Sequence, residues 1–307
     1  MAGHHSHEHA HGHGHGGHDH GTAFAVGVAL NTAFVAAEVV GGLAGNSVAL
    51  LADAVHNLGD VLGLLLAWGA AWLIRRPPSA RRTYGWGRSS ILAALANAVV
   101  LLVSVGAIGV EAIRRLVSPE PVATVLVIAI AAAGVLVNGA TALMFARGRE
   151  HDLNLRAAFV HMVGDAGLSA AVVVAALIVR LTGWFWPDPA VSLVIAVVIV
   201  WGTWGLLRES IDLAMDAVPE GVSQQDVQAY LASLPGVIEV HDLHIWGLST
   251  TETALTAHLV CDDGNETALL HEVSSELQKR FGIGHPTLQI ESGELATLCR
   301  LRPHDVV

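Results

Sequence analysis

The 307-residue chain is 53% hydrophobic and only 14% charged, against about 25% charged residues in ordinary soluble domains, which sets it among membrane proteins. Its formal net charge of −11 argues against a nucleic-acid role, which needs an extended basic face to neutralise phosphates. Two isolated cysteines, Cys261 and Cys299, neither in a CxxC, give no disulfide framework and fit a reducing cytoplasmic side.

Residues 1–21 carry nine of the eighteen histidines, interleaved with Gly, Ala, Glu and Asp. With no apolar core this tract is no signal peptide and reads as a disordered cytoplasmic tail, either a weak metal buffer or a solubilising extension. Six apolar stretches follow at 24–42, 48–74, 89–113, 122–145, 155–179 and 189–207, each near or above the ~20 residues that cross a bilayer. Turn chemistry separates them: Gly41-Gly42, Pro77-Pro78, Pro119 with Pro121, Gly148, and Pro187 with Pro189. Arg75, Arg76, Arg81, Arg82, Arg88, Arg147, Arg149, Arg156 and Arg208 fall on one side, and only Arg114, Arg115 and Arg180 on the other. That bias predicts a multi-pass protein of the inner (plasma) membrane with both termini in the cytoplasm.

From residue 208 the pattern becomes that of a small soluble unit. Ser223 can cap a helix to about Ser233, alternating apolar residues predict strands at 237–248 and 253–261, and 265–281 has one apolar helical face. A last strand is expected at 287–291. The expected fold is an all-α six-helix membrane domain (22–207) followed by a cytoplasmic αββαβ unit (208–307), small enough to gain from dimerisation.

Ionisable groups inside a bilayer usually mark a pathway or a site. The second stretch carries His56 and Asp60, the fifth His161 and Asp165. Both are His-x-x-x-Asp, which puts the two side chains on one helix face a turn apart. Two such helices offer two imidazoles and two carboxylates, a donor set that suits tetrahedral Zn²⁺. Zn²⁺ takes neutral imidazole and ionised carboxylate, so loading the site releases protons. Flanking residues leave alternatives open. Asp53 orients the other nitrogen of His56 or makes a structural contact, Asn57 lies beside it, and Glu38 is proton-linked or structural. In the soluble unit His241, His244, His258, His271, His285 and Glu291 predict at least one further metal site, with His241, His258 and Glu291 on three strands.

At these residues the chain resembles the cation diffusion facilitator family, in particular its zinc-transporting members. The resemblance rests on the His-rich start, Ser47 to Asn57, His161-Met162-Val163-Gly164-Asp165, Val240-His241-Asp242-Leu243-His244-Ile245-Trp246, Ala257-His258 and Thr287-Leu288-Gln289-Ile290-Glu291. It implies a homodimer of six-helix protomers, each with a metallochaperone-like cytoplasmic domain, and metal/proton antiport by alternating access. It maps the transport site onto His56, Asp60, His161 and Asp165, and cytoplasmic ligands onto His241, His258, His285 and Glu291. His56, where less zinc-restricted members carry Asp, implies Zn²⁺, with Cd²⁺ or Co²⁺ as further ions. Gln289, where some members carry His, speaks against a binuclear cytoplasmic centre.

Two rival classes make different demands. An intramembrane metalloenzyme needs an open position for water, whereas the chain has no HExxH and supplies four protein ligands. A membrane-tethered metal sensor gives no reason for ligands inside the membrane.

Overall fold

A computed structural model gives the fold and describes residues 20–146, 153–261, 266–292 and 299–302. The His-rich tract up to residue 19 and the loop with Arg147 and Arg149 lie outside the described residues. Six helices come first: α1 His20–Gly45, α2 Val48–Ile74, α3 Ser89–Val117, α4 Thr124–Ala146, α5 Leu153–Thr182 and α6 Pro187–Ala214. The shortest, α4, has 23 residues and at ~1.5 Å per residue spans about 35 Å, more than the ~30 Å hydrocarbon core. All six are long and apolar enough to cross a membrane.

Helix α2 is the centre of this bundle, touching α1, α3, α5 and α6. Its start is fixed by Ser47, whose hydroxyl accepts from Leu50 N, and by a carboxylate from another helix. Asp188, in the first turn of α6, accepts from Ser47 Oγ, from Val48 N at 2.7 Å and from Ala49 N at 3.4 Å. A buried anion thus satisfies the donors that open α2, where the helix dipole favours negative charge. Glycines let neighbours approach closely, as small residues do at membrane helix contacts. A Cβ on Gly42 of α1 would lie 2.7 Å from Leu51, and one on Gly59 of α2 would lie 2.5 Å from Leu101 of α3. Leu50, Val105, Val127, Val172 and Ile195 fill the core between the helices.

The last membrane stretch was expected to end at residue 207, yet α6 runs to Ala214. Arg208, Glu209 and Asp212 are charged but carry no helix-breaking geometry, so the helix continues until Asp216 adopts φ 61°. Asp216 then pairs with Arg88, just before α3, and Thr250 N donates to Ser90 Oγ at 3.1 Å. These contacts seat the C-terminal unit on the start of α3.

That unit is α7 Gln224–Ala232, β1 Val237–Gly247, β2 Thr253–Cys261, α8 Glu266–Phe281 and β3 Ile283–Glu291, the αββαβ order expected. β1 and β2 form an antiparallel pair, and β3 returns parallel to β2 after the α8 crossover. β2 is therefore central, with Leu255, Ala257 and Leu259 packed against Val227, Leu231, Val273 and Leu277 of the two helices. β3 begins before Pro286 rather than after it. On an edge strand the missing N–H costs no ladder partner.

Candidate metal centres

The two His-x-x-x-Asp motifs meet across the contact between α2 and α5, and they pair reciprocally. His56 Nε2 lies 2.9 Å from Asp165 Oδ1, and His161 Nε2 lies 3.4 Å from Asp60 Oδ2. His161 Nε2 is also 3.7 Å from Asp165 Oδ2, and the two rings are 6.3 Å apart between centroids. Donor atoms about 2.0–2.2 Å from a tetrahedral Zn²⁺ stand about 3.4 Å from one another. The pairs at 2.9, 3.4 and 3.7 Å are therefore already near ligand spacing. One donor atom from each of His56, Asp60 and Asp165 lies within 4.8 Å of the others, and His161 joins through the two carboxylates. The site has a deep side and an open side: Asp165 is 5% exposed and His56 20%, whereas Asp60 is 35% and His161 46% exposed.

Behind the deep side lies a second polar layer. Ser169 Oγ of α5 donates to Asp53 Oδ2 at 2.8 Å, and Asn57 Nδ2 donates to Glu38 Oε2 of α1 at 2.9 Å. Asp53 thus serves α5 and α1 rather than His56. Among the described residues no hydrogen bond joins it to that ring, because its place one turn earlier on α2 points it at Ser169. Asn57 likewise turns away from the ligands to Glu38. Glu38 and Asp53 are both buried, and among the described residues Glu38 Oε1 and Asp53 Oδ1 find no hydrogen-bond donor. Spacing alone made Glu38 a lone carboxylate, whereas the fold sets it beside Asp53, within hydrogen-bonding reach.

A second cluster forms in the C-terminal unit from His241, His258, Glu291 and Cys299, whose donor atoms lie within 4.8 Å of one another. His241 and His258 are direct cross-strand partners, with rings 5.1 Å apart. Glu291 Oε1 is 2.9 Å from His258 Nδ1, and Glu291 Oε2 is 3.5 Å from His241 Nε2. A register shift after His241, with Asp242 at φ 50°, lets His241 turn inward while His244 stays exposed. Cys299 Sγ approaches His258 Nδ1 at 3.6 Å. The fit to a metal ion is good, since both ring nitrogens of His241 and Glu291 Oε2 are buried with no hydrogen-bond partner among the described residues. One thiol, two imidazoles and one carboxylate are a donor set that Zn²⁺ accepts.

The expected ligand His285 is not in this cluster. It shares a strand face with Glu291 but lies six residues away, about 20 Å at ~3.3 Å per residue. It pairs with Ala254 at the opposite end of β2 and meets Tyr84 edge-on at 5.5 Å. Cys299 stands in its place. Only the return of the chain after β3 brings that residue back, and eight positions beyond Glu291 the sequence carries no periodic signal for it. Gln289, the departure from a second-site histidine, donates to Glu291 Oε1 at 2.8 Å.

The chain matches two family descriptions, the cation efflux transmembrane domain over residues 24–213 and the cation efflux protein cytoplasmic domain over residues 219–293. It is 35% identical to the metal cation efflux system protein CzcD of Cupriavidus metallidurans over 268 residues, covering 87% of this chain and 85% of that protein. It is 36% identical to the zinc transporter ZitB of Escherichia coli over 261 residues, 84% and 83% of the two chains. A cadmium, cobalt and zinc/H(+)-K(+) antiporter of Bacillus subtilis is 32% identical over 267 residues, 85% and 86% of the two. All three are named for moving cations rather than for catalysis.

Proposed function

The chain belongs to the cation efflux family and is a multi-pass membrane protein that transports metal cations, and on that premise we propose that it exchanges Zn²⁺ for protons through His56, Asp60, His161 and Asp165. The observation that carries this reading is the reciprocal pairing of the two motifs. Each imidazole leans on the carboxylate of the other helix, so hydrogens between them occupy the space a cation would take. Zn²⁺ needs neutral imidazole and ionised carboxylate, and its arrival displaces those hydrogens. Proton arrival from the far side reverses the exchange, and relative movement of α2 and α5 gives each side access in turn. The two nitrogens and two oxygens suit Zn²⁺ first. Cd²⁺ and Co²⁺, both carried by the Bacillus relative by its name, are further substrates.

The cytoplasmic cluster is read as a resident Zn²⁺ site held by His241, His258, Glu291 and Cys299. Bound there, the ion would supply folding free energy by joining three strands to the chain that follows β3. The match to the cytoplasmic domain of this family supports a homodimer. The arginines at the ends of α2 and α6 support a cytoplasmic position for both termini in the inner membrane.

Purified protein in vesicles with an internal pH dye and an internal Zn²⁺ dye tests the exchange. The expected result is Zn²⁺ uptake with stoichiometric alkalinisation of the vesicle interior, lost in Asp60→Ala. Zn²⁺ uptake with no linked proton movement would overturn antiport, and undiminished uptake by Asp60→Ala would remove that residue from the site.

A further inference from the structure

The loop between α2 and α3 holds five arginines, Arg75, Arg76, Arg81, Arg82 and Arg88, and no acidic residue from 75 to 88. Among the described residues only Arg88 finds a carboxylate, Asp216. Arg76 and Arg82 instead lie over the rings of Trp72 and Trp86, at 4.0 and 3.9 Å. The loop encloses a cavity of about 670 Å³ into which Arg81, Arg82 and Arg88 face. Its other walls are apolar: Leu73 of α2, Leu92 of α3, and Trp246 and Leu248 from the C-terminal unit. Helix α3 begins here with no side-chain cap, and Ser89, on the cavity wall, has a hydroxyl with no hydrogen-bond partner among the described residues.

We propose that this cavity binds the phosphate headgroup of an anionic phospholipid. Excess guanidinium charge, an uncapped helix start and an unused hydroxyl donor all favour a phosphate oxyanion. Soluble phosphate offers the same chemistry. The walls favour a lipid, because the apolar helix α2 ends at Ile74, next to the cavity, and Leu92 in the first turn of the apolar helix α3 is 60% exposed. Basic pockets at the cytoplasmic ends of membrane helices suit anionic headgroups for this reason. Since Trp246 and Leu248 belong to the C-terminal unit, a bound lipid would also hold that unit against the membrane domain.

The full chain in detergent is titrated with phosphatidylglycerol, with phosphatidylcholine of the same acyl chains, and with inorganic phosphate, reading bound lipid by native mass spectrometry and the melting temperature. Phosphatidylglycerol is expected to bind and raise the melting temperature, while the other two do neither. Each arginine near an anionic headgroup is worth roughly fivefold in affinity, so Arg81→Gln/Arg82→Gln should bind phosphatidylglycerol about thirtyfold more weakly. Arg75→Gln/Arg76→Gln, outside the cavity wall, should stay within about threefold of wild type. All four side chains are on the surface, and an unchanged melting temperature without lipid verifies that both variants fold. Equal loss in the two double variants would mean diffuse surface charge and overturn the pocket. Equal binding of phosphatidylcholine, or displacement of the lipid by inorganic phosphate, would overturn an anionic lipid as its occupant.

Discussion

The two carboxylates of the proposed transport site differ enough to be told apart by one substitution each. Asp165 approaches both imidazoles within 3.7 Å and is 5% exposed, whereas Asp60 lies 3.4 Å from His161, within 4.8 Å of His56, and is 35% exposed. Asn keeps the shape of either side chain and removes its charge. At Asp165 the loss removes the charge of a buried ligand, a class of change that costs about 3–5 kcal/mol. Zn²⁺ affinity should therefore fall by about 10²- to 4 × 10³-fold, at about 1.4 kcal/mol per factor of ten. At Asp60 water takes over much of the lost interaction, which limits the loss to about tenfold. Competition between purified protein and a fluorescent zinc chelator at neutral pH measures both affinities. An Asp60→Asn loss equal to or larger than that of Asp165→Asn would refute the reasoning, because burial would then not rank the ligands.

Removing the cap on α2 by Asp188→Ala leaves Ser47 Oγ and Val48 N buried without an acceptor. It should cost about 2–5 kcal/mol, with Asp188→Asn in between, read as the order of melting temperatures in detergent. Glu38→Gln places an amide donor beside the unpartnered Asp53 Oδ1 and should melt no lower than wild type. Glu38→Ala leaves Asn57 Nδ2 without its acceptor and opens a buried void, and should cost about 2–4 kcal/mol. Cys299→Ser replaces a soft thiolate by a poor ligand. It should lower zinc retained after dialysis by up to one ion per chain in elemental analysis, while transport through the membrane site persists. Unchanged zinc content would leave the cytoplasmic cluster without its fourth donor.

The bounds of α2 were legible to the residue, because Ser47 caps one end and the apolar run stops at Arg75. Spacing of four also placed each His and Asp on a shared face. Periodicity names a face but never its partner, so the crosswise pairing of His56 with Asp165 and His161 with Asp60 came only from the packing of α2 on α5. The same limit explains His285. Only the family resemblance put it with Glu291, and β3, which starts four residues earlier than expected, carries it to the other end of the sheet. Asp188 was hidden between two prolines that read as a turn, and Glu38 gained meaning only when α1 set it beside Asp53.

The arrangement around α2 also says where the bundle can give. On the α1 and α3 sides Gly42 and Gly59 leave less than a methyl group of clearance, and at its start Asp188 fastens it to α6. Those three seams are riveted, and sliding along any of them collides with a neighbour or strips a buried donor. The fourth seam, against α5, is pinned at depth by Ser169 on Asp53 and closed at the candidate ligands by polar pairs that a cation can unfasten and refasten in kind. The one exchangeable fastening of α2 therefore lies where the proposed cation ligands meet.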